Sequence, residues 1–198
     1  MRYRLVWLVV LSGVAAAQSP FPVRGGHDIQ IWTGGGYSVP GGTGSTGVWN
    51  GGLRYGWILT KTHGPAYLRG NFEFAVDAVP IFLVVQPKNT AFGGGINPVN
   101  FKWDFYTRKR VLPYAELSGG TLFTTQEVPS GTSQINFTSG AAVGVHIMGE
   151  ERNVSVEVRY MHISNAGLTS PNPGINTVQV RLGLGMFFHG PRGQRGGP

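Results

Sequence analysis

The strongest constraint on the fold is a long alternation of apolar and polar residues near the C-terminus. It runs through residues 154–164 and recurs in residues 177–188. Successive residues of a β-strand point to opposite faces, so each segment predicts a strand with one apolar and one polar face. The apolar face consists of Val154, Val156, Val158, Tyr160, Val178, Val180, Leu182 and Leu184, and the polar face of Glu157, Arg159, Gln179 and Arg181. This length exceeds an average globular strand and is typical of a membrane-spanning strand of about 9–11 residues.

The whole sequence divides into eight segments of similar character. The predicted strands are 27–38, 47–60, 68–85, 99–107, 111–124, 134–148, 153–165 and 176–188. The later connections alternate in length, with long ones at 86–98, 125–133 and 166–175 and short ones at 108–110 and 149–152. This pattern predicts an all-β chain that forms an eight-stranded antiparallel transmembrane β-barrel, with short periplasmic turns and longer extracellular loops.

Composition agrees with a β-rich exported chain. Glycine accounts for 32 of 198 residues, and charged residues, at 13%, are about half as frequent as usual. Cysteine is absent, which excludes disulfides, zinc–thiolate sites and cysteine catalysis. The formal charge is +7, but apart from Arg108-Lys109-Arg110 the basic residues are scattered, so a nucleic-acid partner is not expected.

The N-terminus predicts export. Arg2 and Arg4 precede an apolar run that ends at Ala15-Ala16-Ala17, and this arrangement is typical of a cleaved secretory signal peptide. We therefore predict a signal peptide at 1–17, an outer-membrane barrel at 18–190 and a disordered tail at 191–198. The Gly/Pro/Arg-rich composition of the tail is the basis for the last of these.

The interior of an eight-stranded barrel is filled by side chains rather than open as a pore. The predicted lumen residues are Arg54, Glu73, Asp77, Glu116, Glu157, Arg159 and Arg181. We expect them to form ion pairs with one another. The predicted interfacial aromatic girdles contain Trp49, Tyr55, Trp57, Trp103, Tyr106, Tyr160, Phe187 and Phe188.

A potential catalytic pair closes the seventh predicted strand. His162 and Ser164 are two residues apart and therefore share a face, as a base and a nucleophile must. With both termini periplasmic, this strand ends at the extracellular side and the eighth begins there. Asn176 is in phase with the same outward face. Polar side chains that face lipid cost stability, and a lipid substrate would explain their presence.

The run HISNAGLTSPNPGIN, residues 162–176, resembles the signature of PagL-type lipid A 3-O-deacylases. The resemblance implies an eight-stranded barrel in the bacterial outer membrane that hydrolyses the ester-linked acyl chain at position 3 of lipid A. It implies Ser164 as the nucleophile and His162 as the general base. It places Asn165, Ala166, Gly167 and Asn172 in the segment that builds the oxyanion hole or binds substrate. The implied partners are lipid A or lipopolysaccharide and the surrounding outer-membrane lipids.

One position departs from the family pattern. The third catalytic residue of the family is a glutamate, and the matching position here is Asn176. An amide cannot balance the charge of an imidazolium, although its carbonyl oxygen can orient the ring. Loss of the acid can cost about 10⁴ in rate when the wrong tautomer results. A working deacylase, a much slower one and a barrel that has lost the chemistry are all compatible with this residue.

Two other functional classes compete with the hydrolase. The first is a structural or adhesive outer-membrane barrel in which His162 and Ser164 merely end a strand. The second is a soluble β-sandwich that binds ligands like a lipocalin, which is disfavoured because it would bury this pair and expose Glu157 and Arg159. No metal or cofactor is expected, since no cluster of ligand residues lies on the outward face. Acyl-chain preference and oligomeric state stay open, a homodimer included.

Overall fold

The computed structural model describes residues 21–189, which form a closed barrel of eight antiparallel strands. The strands are β1 (Gly26–Val39), β2 (Gly47–Ile58), β3 (Gly70–Val85), β4 (Thr90–Phe105), β5 (Val111–Thr124), β6 (Ile135–Met148), β7 (Asn153–Ser164) and β8 (Ile175–His189). Each strand pairs with the next along the chain, and β8 closes the barrel on β1. The predicted fold class is confirmed. The predicted signal peptide and C-terminal tail lie outside the described residues.

The barrel has two rims. The outer rim consists of the loops 40–46, 86–89, 125–134 and 165–174. The inner rim, at the end where β1 begins and β8 ends, carries the connections 59–69, 106–110 and 149–152. A short 3₁₀ turn, Ala66–Leu68, lies within the first of these connections. None of the helical structure among residues 21–189 is long and apolar enough to cross a membrane.

The fourth strand begins earlier than predicted. We expected 99–107 after a long loop at 86–98, but β4 starts at Thr90 and only residues 86–89 connect it to β3. The run Gly93-Gly94-Gly95 lies inside the strand and contributes no side chains, so it hides the alternation between Phe92 and Ile96, which are both exposed. The register then shifts between Ile96 and Val99, which breaks the period of two that sequence reasoning relies on.

The predicted phase of the last two strands is confirmed. The exposed outward side chains are Val154, Val156, Val158, Tyr160, Val178, Val180, Leu182 and Leu184. Glu157, Arg159, Gln179 and Arg181 are at most 3% exposed and lie inside the barrel. An apolar outside and a polar inside are what a barrel surrounded by lipid requires.

The lumen contains two groups of paired charges. Near the middle of the barrel, the Arg54 guanidinium bonds both Asp77 and Glu116, and Arg159 bonds Glu116 and Glu157. Towards the inner rim, the Lys102 ammonium lies 3.0 Å from Asp28 and 2.9 Å from Glu73. Our predicted ion pairing of lumen residues is confirmed, and Asp28, Lys102, Asp104 and His146 extend it. Buried charges are tolerated only when they are paired, as these are. Because the paired side chains fill the interior, a functional site is expected on the outer surface.

One predicted girdle residue is wrong. Phe187 is only 3% exposed and packs inside the barrel with Ile58, Leu112 and Met148. Its ring also meets that of His146 edge-on at 5.4 Å between centroids. The neighbouring Phe188 stacks on His27 instead. Two adjacent aromatic residues of one strand cannot both face lipid, so only one of the pair can belong to the girdle.

Candidate active site

The strand register brings His162 and Asn176 together across β7 and β8. The two residues are paired directly opposite each other, and the ring nitrogen Nδ1 of His162 lies 2.6 Å from Oδ1 of Asn176. A carbonyl oxygen only accepts hydrogen bonds, so the Nδ1–H of the ring donates to it. The neutral imidazole then has its lone pair on Nε2. This is the tautomer that a general base needs in order to take a proton from a serine.

Ser164 is the last residue of β7 and is half-buried on the same face as His162. Its hydroxyl makes no hydrogen bond to any residue between 21 and 189, His162 included. The structure therefore places the pair on one surface without joining nucleophile and base. Catalytic hydrogen bonds are often loose without substrate and tighten when it binds.

A tight turn follows Ser164. The Leu168 N–H donates to the Asn165 carbonyl, and Ala166 and Gly167 between them have φ of +51° and +83°. The Asn165 side chain, which is buried, accepts the Gly167 N–H at 2.8 Å and donates to Thr169 at 2.7 Å. These bonds hold the turn in a left-handed conformation that alanine rarely adopts.

These contacts divide the predicted oxyanion-hole residues into those whose N–H groups already have an acceptor and those with a free donor. The backbone N–H of Asn165 donates to Oδ1 of Asn172, and that of Gly167 is taken by the Asn165 side chain. The Ala166 N–H has no acceptor among the described residues, and Asn172 has its amide nitrogen free on the exposed side of the loop. Among the predicted residues, the donors without an acceptor are therefore the Ala166 N–H and the Asn172 amide, which could serve an oxyanion.

Asn176 faces outward in the strand but is covered by the loop 40–46. It is 6% exposed, and a side chain added at Gly41 would come within 2.8 Å of its amide nitrogen. The Thr43 N–H anchors the loop by donating to the Gly174 carbonyl at 2.8 Å. This loop keeps water away from the His162–Asn176 hydrogen bond, which strengthens it. No local pattern in the sequence predicts this contact, because the two segments are far apart in the chain.

Gly174 lies against the edge of the His162 ring. Its φ is +65°, and an added Cβ would be 2.6 Å from Cε1 and 3.4 Å from Nε2 of the imidazole. Any side chain here would push the ring away from Ser164 or from Asn176. Sequence reasoning did not assign Gly174 to the site, although a glycine directly before β8 was a usable signal.

We expect Gly174→Ala to lower any lipid-ester hydrolysis that depends on His162 by about 10²-fold while the barrel still folds, because a shift of roughly 1 Å in a catalytic group costs about that much. Hydrolysis of a lipid ester by the purified variant measures the effect. Gly131→Ala is the matched control, since Gly131 has a similar φ of +88° but open space around an added Cβ. Equal activity in both variants would show that Gly174 does not position the ring.

Ser139 is a second hydroxyl close to His162. It is the direct cross-strand partner of His162 on β6, and it is exposed on the same outward face. Directly opposed residues have Cβ atoms about 4.5–5.5 Å apart, so this hydroxyl rivals Ser164 in proximity to the base. Only the register reveals it, because 23 residues separate the two in sequence.

The fold and this site define a class of protein: an outer-membrane-type β-barrel with a serine, a histidine and an asparagine grouped on its membrane-facing surface. The family profile of lipid A 3-O-deacylase (PagL) matches residues 49–185, more than two thirds of the chain. The chain belongs to this family, which confirms the resemblance seen in residues 162–176. A comparison with curated proteins found no match.

Solved structures share the fold at low sequence identity. The outer membrane enzyme PagL is 20% identical with a TM-score of 0.61, over 78% of this chain and 97% of that one. The outer membrane protein OprG from Pseudomonas aeruginosa is 13% identical with a TM-score of 0.55, over 86% and 99%. Neisserial surface protein A is 15% identical with a TM-score of 0.51, over 81% and 95%. At these identities the likeness extends to the barrel alone.

Proposed function

We propose that this protein is a lipid A 3-O-deacylase of the bacterial outer membrane, a serine hydrolase that cleaves the 3-hydroxyacyl ester in the outer leaflet. The observation that carries the proposal is the hydrogen-bonded His162–Asn176 pair beside Ser164, on the lipid-facing surface at the outer rim. Polar groups in that position cost stability unless they have a function. Membership of the lipid A 3-O-deacylase family supports the choice of substrate.

The residues allow a complete acyl-transfer cycle. The Ser164 hydroxyl attacks the ester carbonyl while Nε2 of His162 takes its proton, and Asn176 holds the Nδ1–H of the ring. The tetrahedral oxyanion accepts hydrogen bonds from the Ala166 N–H and the Asn172 amide. Collapse breaks the ester bond, and His162 returns the proton to the departing sugar hydroxyl. Water then attacks the acyl-serine through the same base, which releases the 3-hydroxy fatty acid and restores Ser164.

The location of the site suits an embedded substrate. The ester bonds of lipid A lie where acyl chains meet sugars, at the boundary between hydrocarbon and headgroups. The pair His162–Ser164 closes β7 at the outer rim, directly above the apolar outward side chains of Tyr160 and Val178. Acyl chains would therefore lie along the apolar surface while the ester reaches the polar trio. Glu157 cannot replace the missing acid, because it is bonded to Tyr114 and Arg159 inside the lumen.

Expression in a Gram-negative host tests the proposal. We expect the mass spectrum of its lipid A to show a species lighter by one 3-hydroxyacyl chain, because growth over hours gives even a slow enzyme time to act. Outer-membrane fractionation and heat-dependent migration on gels verify that the barrel is inserted. Unchanged lipid A from cells with a correctly inserted barrel would contradict the proposal.

A structural or adhesive barrel is the alternative function. Two observations favour it: Asn176 replaces the family's acid, and Ser164 is not hydrogen-bonded to His162. Such a barrel would leave lipid A intact while keeping the fold that it shares with OprG. The same mass spectrum therefore separates the two functions.

A further inference from the structure

Charge is distributed very unevenly between the two rims. Among the described residues, the outer-rim loops contain two charged side chains, Lys88 and Glu127. The exposed basic residues of the inner rim and the segment leading into β1 are Arg24, Lys61, Arg69, Arg108, Lys109, Arg110 and Arg152. The chain therefore has ample basic residues and places them at the end away from the candidate site.

Neither charge of the outer rim offers a cation to the site. Lys88 lies in the loop between β3 and β4, which are four strands away from β7 and β8 in the closed ring, on the opposite wall. Glu127 is an anion in the loop 125–134, which touches the loop 165–174 through a hydrogen bond from Thr169 to the Thr132 carbonyl. The same loop touches that of Lys88 through the Gln86 amide, which donates to the Glu127 carbonyl. The two described outer-rim loops beside β7 contain no basic side chain.

The strands supply no exposed cation either. The basic residues within strands are Arg54, Lys102, Arg159 and Arg181, and all are at most 4% exposed inside the lumen. Their charges are paired with lumen carboxylates. They cannot reach a lipid outside the barrel without breaking buried ion pairs, which is strongly unfavourable.

Phosphate groups are normally recognised by arginine, lysine or helix N-termini. The outer rim around the site presents hydroxyls and amides instead. The exposed side chains of this kind in the two loops beside β7 are Thr125, Gln126, Gln134, Thr169, Ser170 and Asn172. Such neutral donors and acceptors match sugar hydroxyls, whereas a phosphate held there would lack a cationic partner among the described loop residues.

We propose that the protein prefers an acylated saccharide without phosphate on its sugar head, a phosphate-free form of lipid A, over the bisphosphorylated form. This proposal rests on the proposed deacylase function and specifies its substrate class. The outer rim binds the neutral sugars through hydroxyls and amides, and the lipid-facing strands hold the acyl chains. The same reaction on a bisphosphorylated head brings two anionic groups to a rim whose described loops beside β7 contain no cation.

A competition experiment tests the substrate class. Purified Ser164→Ala protein in detergent micelles receives equal amounts of bisphosphorylated lipid A and the same lipid A after enzymatic removal of both phosphates. A chelator is present so that divalent ions cannot screen the phosphates. We expect native mass spectrometry to show at least about tenfold more of the phosphate-free lipid bound. The wild-type protein should show a similar ratio in kcat/KM for fatty-acid release.

Two variants sharpen the result. Gln126→Lys adds a cation on an exposed side chain of the loop 125–134, which contacts the loop 165–174, and should shift the binding ratio at least about threefold towards the phosphorylated lipid. Lys88→Gln, on the opposite wall, should leave the ratio unchanged. Equal or tighter binding of bisphosphorylated lipid A, or binding of neither lipid, overturns the proposal. Selective binding of the phosphate-free lipid without fatty-acid release supports this recognition but contradicts the proposed hydrolysis.

Discussion

Replacing Ser164 with alanine is expected to lower the release of 3-hydroxy fatty acid from lipid A by at least about 10³-fold, to the background of the assay. The variant removes the hydroxyl that forms the acyl-enzyme in the proposed mechanism, and losses of this size or larger follow removal of a serine nucleophile elsewhere. His162→Ala should cause a comparable loss, since the two groups act as a unit. Fatty-acid release from purified protein in mixed micelles measures both.

Ser139→Ala is the matched control for the nucleophile. It removes another exposed hydroxyl from the same outward face, directly opposite His162. We expect it to keep most of the activity, because the free Ala166 N–H belongs to the turn that directly follows Ser164, whereas Ser139 lies within β6. Loss of activity in Ser139→Ala together with survival in Ser164→Ala would transfer the nucleophile to β6.

Alternation within the sequence predicted most of the barrel. In the middle of β7 and β8 the outward positions bear apolar side chains, and Glu157, Arg159, Gln179 and Arg181 point inward, so a period of two determines both faces there. In β4 the same rule failed. Three consecutive glycines and a register shift removed the alternation over residues 93–99, and only pairing with β3 and β5 identifies this stretch as a strand. The structure of this stretch depends on backbone pairing with neighbouring strands, which a local sequence pattern does not contain.

The candidate site also contains some residues that local spacing predicts and others that depend on distant segments. The spacing of His162 and Ser164 is local, and a strand fixes their shared face without further information. The role of Asn176 depended on a resemblance, and its hydrogen bond depends on the register of two strands. The contact of Gly41 with Asn176 and the position of Ser139 depend on segments 135 and 23 residues away in sequence. Patterns within a strand cannot encode such contacts.

An acid at position 176 would make two contributions to catalysis, and Asn176 can make only one of them. An acid orients the imidazole and also stabilises its positive charge in the transition state. In the proposed mechanism, the 2.6 Å hydrogen bond between Nδ1 and the Asn176 oxygen supplies the orientation. We therefore expect Asn176 to avoid the loss of about 10⁴ that accompanies a wrong tautomer and to lack only the electrostatic contribution.

Restoring the charge is expected to raise the rate of deacylation roughly tenfold in Asn176→Asp and Asn176→Glu. A partly desolvated ion pair with His162 stabilises the imidazolium by about 1–2 kcal/mol, and about 1.4 kcal/mol corresponds to a factor of ten. Asn176→Ala removes the orienting oxygen and should lower the rate about 10–100-fold. The value of kcat/KM for lipid A, measured for all four proteins in the same micelles, tests these expectations.

The aspartate variant distinguishes charge from side-chain length. Aspartate has the shape of asparagine and fits beneath the loop 40–46. Glutamate is longer and must find room beside Gly41, where an added Cβ would lie 2.8 Å from the Asn176 amide nitrogen. A gain in Asn176→Asp with a loss in Asn176→Glu would mean that charge helps but that the loop admits only the shorter side chain. Equal rates in all four proteins would show that position 176 has no catalytic part. If none of the inserted proteins releases fatty acid, the barrel has kept the geometry of the site without its chemistry.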